Sequence, residues 1–299
     1  MKPSVRRQAA SRRRVTSLNK TAIEPMKSLR TSLRLLMEFT DEQPAFGGGV
    51  LAERTGLSKS HVSKALAAFV EAGLLKQDPE TRAFSVGLRA FVLGARFANY
   101  DRLSREAMPI LRDLTQRTGH STRLSVMDGG QALYMLGVEG PLFLDSGWHA
   151  GTRVPLHSTT AGRVMLAFMD AGQAEKILAA AELGRLTEHT VTDRAAIRRI
   201  VARTRARGYD VQRGETTVGL GTLGVPIFGA GQAILGVLGV AFPTHVIGAR
   251  DEARFLEHLH RAARILSLRM GSAVYPFGGA ITSVRRDERS RPRSSPSSK

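Results

Sequence analysis

Residues 59–64 read Lys59-Ser60-His61-Val62-Ser63-Lys64. Two ammonium groups, two hydroxyls and an imidazole fall within two turns of any helix that contains them. Such donors suit phosphate oxygens and the acceptor edges of base pairs in a major groove. Ser58 precedes them as a natural N-cap, since its hydroxyl can take an amide hydrogen that a helix start leaves unpaired. Val62, Leu66, Phe69 and Val70 recur at helical spacing behind this polar face. Arg82 closes the turn Asp78-Pro79-Glu80-Thr81-Arg82, where a guanidinium reaches a neighbouring phosphate or minor groove. Ser58, Lys59, Ser60, His61, Ser63, Lys64 and Arg82 are therefore the candidate DNA contacts. Plain solvation also produces polar helix faces, and residues 21–87 are balanced, with eight Lys/Arg and eight Asp/Glu. The acids Asp41, Glu42, Asp78 and Glu80 fall in loops, however, while Lys59 and Lys64 sit on the candidate reading face.

A second stretch invites a different chemistry. Residues 218–228, VGLGTLGVPIF, contain Gly219-x-Gly221-x-x-Gly224, the literal dinucleotide fingerprint. That fingerprint needs a strand before it, a helix starting on it, and an acid about 20 residues on. Here Val225-Pro226-Ile227 continues as extended chain, and Thr244-His245 stands where the acid belongs. No nicotinamide cofactor is expected, and the stretch reads as the glycine-rich lead-in to a strand. An enzyme would draw on His120, His149, His157 or His189 as base and Asp193 or Glu215 as acid. No GxSxG, HExxH or P-loop accompanies them. Ion pairing is the plainer role for Glu215. His258 and His260 lie two apart on a helix and point to different faces, a poor metal pair. No catalytic or metal site and no cofactor is expected.

The elements that position these residues follow from periodicity. Helices are predicted at 26–39, with Met26, Leu29, Leu33, Leu36 and Met37 as its apolar face, at 50–55 and at 59–72. The turn chemistry of residues 41–44 ends the first. Strands at 74–77 and 83–86 enclose the Asp78–Arg82 turn. Three helices and a hairpin outline a winged helix-turn-helix over 25–87, and an amphipathic helix over 88–102 links it onward. From 103 to 272 the pattern changes. A helix at 104–118 precedes strands 122–127 and 132–138 around Asp128-Gly129-Gly130. Helices follow at 160–169, 174–181 and 195–207, strands at 209–212, 220–228 and 233–242, and a closing helix at 251–270. Hairpin strands beside separate helices argue an α+β domain with a mostly antiparallel sheet.

The 299 residues carry a net charge of +18 and no cysteine, which excludes disulfides, thiolate metal sites and cysteine nucleophiles. The charge suggests a polyanionic partner, nucleic acid before membrane. Residues 1–20 hold net +7 and residues 285–299 net +4. Ser, Pro and Arg dominate both, so 1–24 and 273–299 read as disordered basic tails, as solubilisers or as loose phosphate-binding arms. No apolar segment follows the basic N-terminus, and the longest apolar run, 233–242, is too short to span a bilayer. A cytoplasmic protein without membrane contact is expected.

Three stretches together resemble the IclR-type (isocitrate lyase regulator) family of transcriptional regulators. They are LRTSLRLLMEF…LAERTGLSKSHVSKALAAFVEAGLL with the wing QDPETRAFSVG, GTRVPLHSTTAGRVMLAFM, and RTRARGYDVQRGETTVGLGTLGVPIF followed by AILGVLGVAFP. Their order and spacing cover about residues 26–272. The resemblance implies a winged-helix DNA reader, a linker helix and a GAF-like α/β effector-binding domain. It also implies a sequence-specific regulator acting as a repressor, assembled as a homodimer or homotetramer on a double-stranded operator and tuned by a small-molecule effector. A nonspecific basic nucleic-acid binder, or less readily an enzyme on a GAF-like fold, are the alternatives; steep salt dependence without site preference would mark the former.

Thr159 and Thr160 open a helix whose amides suit a carboxylate, with Ala161 in the same first turn. Leu220, Thr222, Gly239 and Ala241 would wall such a site. By resemblance, Val154, Thr160, Leu220, Thr222, Gly239 and Ala241 match positions lining the family's effector cavity; plain core packing is the alternative role of each. Relatives that bind small keto acids often carry serines where this chain has Gly239 and Ala241, which points to a larger or more apolar acid, such as an aromatic acid, or to no effector. Ser58 and Lys64 stand where relatives often have Pro and Arg, which leaves the operator sequence open.

Overall fold

The computed structural model describes residues 27–39, 43–141, 149–245 and 247–278. They form two units divided between Ala90 and Phe91. The first unit contains α1 (Lys27–Leu36), β1 (Ala45–Phe46), α2 (Gly48–Thr55), α3 (Lys59–Glu71), β2 (Leu75–Gln77) and β3 (Phe84–Val86). Its antiparallel sheet has the order β1-β3-β2. Strand β1 is too short to announce itself in the sequence and exists because β3 offers it an edge. Gly56, at φ 69°, turns the chain from α2 toward α3 in the left-handed region that glycine enters without a Cβ clash. Leu35, Phe46, Leu51, Val62, Leu66 and Leu75 form the core. The apolar face expected for α1 is corrected here. Leu35 carries its burial and Leu36 packs half-buried against the core as expected, while Leu29, Leu33 and Met37 are exposed and Met26 lies outside the described residues. Within this small unit α1 needs only one edge of itself covered, so its strongest stripe faces outward.

The division falls inside α4 (Leu88–Tyr100), the expected linker helix. The second unit continues with α5 (Arg102–Thr118), β4 (Ser121–Asp128), β5 (Gln131–Val138), β6 (Arg153–Val154), α6 (Thr160–Phe168), α7 (Ala171–Ala180) and α8 (Arg194–Arg207). It closes with β7 (Asp210–Arg213), β8 (Leu220–Phe228), β9 (Ile234–Pro243) and α9 (Ala249–Arg269). The six strands run β6-β5-β4-β9-β8-β7, every neighbouring pair antiparallel. Gly129 and Gly130, at φ 57° and 83°, make the two-residue β4–β5 hairpin that positive φ at both positions favours. Leu111, Leu114, Leu223, Val225, Ile227, Leu238 and Val240 join Phe255, Leu259 and Leu266 in the layer beneath α5 and α9. The other face receives α6. Each fully buried Leu or Phe there contributes about 2–3 kcal/mol of apolar burial.

One sequence boundary shifts. Gly221 and Gly224 lie inside β8, within the strand expected over 220–228, and their missing side chains let Phe242 and Thr160 lie against the strand: a Cβ would meet Phe242 at 2.5 Å and Thr160 at 3.3 Å. Residues 273–278 of the expected C-terminal tail pack on the domain. Tyr275 and Phe277 join Phe168, Phe228 and His260 in one aromatic cluster, whose burial outweighs the local polar composition. The remaining tail expectations, for 1–24 and beyond 278, fall outside the described residues, as does the first half of the 41–44 turn.

Candidate functional site

Helix α3 begins as its sequence requires. Ser58 Oγ accepts the His61 amide at 3.3 Å. Ser58, Lys59, Ser60, Ser63 and Lys64 are exposed, while Val62, Ala65 and Leu66 are buried. His61 departs from the rest. It is half-buried, with Nε2 3.4 Å from Ser32 Oγ of α1, so it braces α3 against α1 as well as bordering its polar face. The wing turn is stapled by Asp78, whose Oδ1 accepts Thr81 N (2.7 Å), Thr81 Oγ1 (2.9 Å) and Glu80 N (3.0 Å). Those bonds, the Thr81 amide first, hold the Asp78 carboxyl below its ordinary value. Gln77 Nε2 donates to the Arg82 carbonyl at 3.0 Å, and Arg82 takes φ 59° at the exposed tip. Lys59, Ser63 and Arg82 line one cleft of about 730 Å³ between α3 and the wing, together with Gln77 and Glu71.

The second unit holds a cavity of about 30 Å³ between the start of α6 and strands β4, β5, β8 and β9. Thr160, Ala161, Leu220, Thr222, Gly239 and Ala241 all line it. Val154 and Thr159 do not. Val154 pairs with Ala132 at the sheet edge and is buried in the apolar layer with Leu156 and Met165. The Thr159 hydroxyl is spent on the helix start, accepting Gly162 N at 3.1 Å and donating to Pro155 O at 2.7 Å. Four lining residues with polar side chains were missed by the sequence reading: Arg123, Ser125, Tyr134 and Thr216. The signal was present in β4, where Arg123 and Ser125 alternate with buried Leu124 in a strand covered on both faces. Arg123 lies with its guanidinium 5.5 Å from the Tyr134 ring centroid and 3.5 Å from Glu139 Oε1. Burial pushes the Tyr134 phenol up to about 12, so it stays protonated.

A polar network lies beneath. Thr160 Oγ1 is 3.2 Å from Thr222 Oγ1, and Gln212 Nε2 donates to Thr222 Oγ1 at 3.0 Å and Thr216 Oγ1 at 3.3 Å. Gln212 Oε1 accepts the Glu215 amide at 2.9 Å. Glu215 takes Arg163 in a two-pronged pair at 2.8 and 2.5 Å, the ion-pairing role. Arg163 is 1% exposed, also donates to His157 O at 2.7 Å, and lies 3.6 Å from Asp210 Oδ2. Burial first of all pushes the Asp210 carboxyl up, against the pull of Arg163 and Arg207.

The other acid–base candidates do not converge. Asp193 caps α8 through Ala196 N at 2.6 Å. His157 contacts the Gly184 carbonyl at 2.9 Å, and burial lowers its basicity. His120 packs against Phe255, His260 meets Tyr275 Oη at 2.9 Å, and His149 and His189 are exposed. Among the described residues no cluster of three His, Asp or Glu could hold a metal ion, and no helix is long and apolar enough to cross a membrane.

Comparison with known proteins matches this arrangement. Residues 98–268 match the bacterial transcriptional regulator IclR C-terminal domain, and residues 28–79 match the IclR helix-turn-helix domain. The HTH-type transcriptional regulator KdgR of Escherichia coli is 30% identical over 242 residues, covering 81% of this chain and 92% of KdgR. The transcriptional repressor IclR of Escherichia coli is 25% identical over 248 residues, covering 82% of this chain and 90% of its own length. A crystal structure of an IclR homologue from Microbacterium hydrocarbonoxydans, complexed with 4-hydroxybenzoate, superposes with a TM-score of 0.71 at 23% identity, over 81% of this chain and 98% of that one. A helix-turn-helix unit and an α+β effector-binding domain with an antiparallel sheet thus occur in the order these proteins share, and the chain belongs to the IclR family of bacterial transcriptional regulators.

Proposed function

We propose that the protein works in the cytoplasm as a homodimer on a two-fold operator, where it represses transcription until an aromatic carboxylic acid occupies the cavity of the second unit. Lys59, Ser60, Ser63 and Lys64 contact base edges and phosphates, Ser58 and His61 support the helix they stand on, and Arg82 reaches the backbone beside the groove. The observation that carries the effector reading is Arg123, a cation only 12% exposed, on the wall of a cavity that also receives the start of α6. A carboxylate pairs there with a guanidinium in low dielectric, and the α6 amides add positive potential. Leu220, Val237 and the Tyr134 ring supply the apolar wall that an aromatic ring needs, and Gly239 and Ala241 leave the floor without hydroxyls. A volume of about 30 Å³ holds roughly one water. An aromatic acid therefore binds only as the walls part, which gives it a differential affinity for two conformations. The solved relative that carries 4-hydroxybenzoate supports this ligand class, and the relative named as a repressor supports the sense of regulation. The homodimer is supported by α4, which exposes Leu88, Phe91, Leu93, Phe97 and Tyr100 without a partner among the described residues. The cavity serves binding, and no reaction is proposed in it.

The test is an operator gel-shift titration of the wild type and Lys64→Ala, each with and without 4-hydroxybenzoate, with light scattering on the same samples. The wild type should weigh twice 32.4 kDa, keep its preference for one site as salt rises, and release it when the acid is added. Lys64→Ala should weaken the specific complex by about 1–3 kcal/mol. Unchanged operator affinity in the variant refutes the reading helix, and binding without site preference favours a nonspecific basic binder.

A further inference from the structure

We infer that the effector is an acceptor at both ends: a carboxylate that pairs with Arg123, and a second acceptor oxygen that takes a hydrogen bond from the Thr160–Thr222 hydroxyl pair. The inference rests on the cavity being the effector site and adds the ligand's length and far-end chemistry.

Length comes from the sheet register. Arg123 of β4 lies opposite Gly239 of β9, Gly239 lies opposite Gly224 of β8, and Thr222 is two residues along β8 from Gly224. Two strand spacings and two residues of rise put the Arg123 and Thr222 Cα atoms about 12 Å apart. Between them, Gly239 and Ala241 present nothing larger than a methyl group. Once the walls part, a flat ring lies over that floor, with one substituent toward each pole.

Polarity at the far pole is set from behind. The Glu215 amide donates to Gln212 Oε1 at 2.9 Å, which fixes the orientation of the Gln212 amide. Its Nε2 therefore faces Thr222 Oγ1 at 3.0 Å and donates to it. Thr222 and Thr160 stand 3.2 Å apart and share one of their two hydroxyl hydrogens. The second hydroxyl hydrogen remains for the ligand. Thr160 is also the first residue of α6, where the helix end favours negative charge. Both poles thus donate, and the ligand accepts at each. A para-substituted benzoate with a second carboxylate or a carbonyl satisfies this; a methyl group at the same place leaves the hydroxyl pair unmatched.

Calorimetric titration of the full-length protein with terephthalate and 4-methylbenzoate tests the inference. Terephthalate should bind at least about tenfold more tightly. Thr222→Val should bring that ratio close to one, and Thr222→Ser should keep it. Arg123→Met should weaken both ligands. Equal affinity of the two acids for the wild type, or a ratio that survives Thr222→Val, overturns the second pole while leaving the carboxylate reading at Arg123 standing. Failure of both acids to bind at millimolar concentration overturns the effector reading and this inference with it.

Discussion

Arg163→Met removes the cation at the centre of the buried network beneath the cavity of the second unit. The substitution keeps most of the side-chain volume, so little cavity is created. It deletes the donor to His157 O at 2.7 Å and the pair to Glu215 at 2.8 and 2.5 Å. It also strands two carboxylates, because Asp210 is 0% and Glu215 8% exposed. Glu215 then keeps the Val191 amide at 3.2 Å, and Asp210 keeps Arg207 at 3.0 Å and Thr204 at 3.2 Å. Breaking one partner of a buried pair costs about 3–5 kcal/mol. For a unit of this size that is a fall in melting temperature of roughly 6–20 °C. The deficit depends on pH with a definite sign. Burial already raises the Asp210 carboxyl, and Arg163 is the largest influence drawing it back down. Without Arg163 the folded-state value rises further above the unfolded one. A group raised in this way stabilises the fold below the unfolded value and costs stability as pH climbs through the folded one. The deficit should therefore be larger at pH 8 than at pH 5. Thermal and urea unfolding followed by circular dichroism at both pH values provides the measurement. Adding Glu215→Gln should regain part of the loss by neutralising one stranded carboxylate. A melting shift under about 2 °C, or a deficit equal at the two pH values, refutes the assignment of Arg163 as the counter-ion of this layer.

Three further outcomes follow from particular residues. Burial lowers His260 to about 4 from an ordinary 6.5, so the unfolded chain takes up a proton that the folded chain refuses. Stability should fall as pH drops from 6.5 to 4, by at most roughly 3 kcal/mol from this residue; urea midpoints at pH 7 and 4.5 should differ less in His260→Phe, and equal slopes would remove His260 from the account. Gly239→Ser should fold within about 1 kcal/mol of the wild type, since a Cβ there meets nothing nearer than Leu223 O at 3.4 Å. Its new hydroxyl on the cavity floor should raise the affinity for pyruvate relative to benzoate, read by thermal shift, and an unchanged preference would count against Gly239 as floor. Gly162→Ala is the contrast, because its Cβ would fall 2.2 Å from Leu156 Cα and destabilise by several kcal/mol.

Much of the DNA-binding unit was legible because local rules decide it. Ser58 as N-cap, Gly56 as left-handed turn and the Asp78 staple are interactions within a few residues, and α3 follows from the spacing of Val62 and Leu66. What packing decides was not legible. The face of α1 was misjudged because Leu29, Leu33 and Met37 make the better stripe, yet Leu35 is the residue the core accepts. Residues 273–278 read as polar tail, yet two aromatic rings hold them to the domain.

The sequence by itself determined the order of elements, helix α3 with its exposed donors, and six of the residues that line the cavity, since each depends on periodicity, capping or a recognisable stretch. Only the tertiary structure decided the chemistry of that cavity. Arg123 and Thr222 are about a hundred residues apart in the chain and meet one space because β9 lies between β4 and β8. Gln212, Glu215 and Arg163 became a network for the same reason: strand register and helix packing bring together groups whose interaction has no counterpart in sequence spacing.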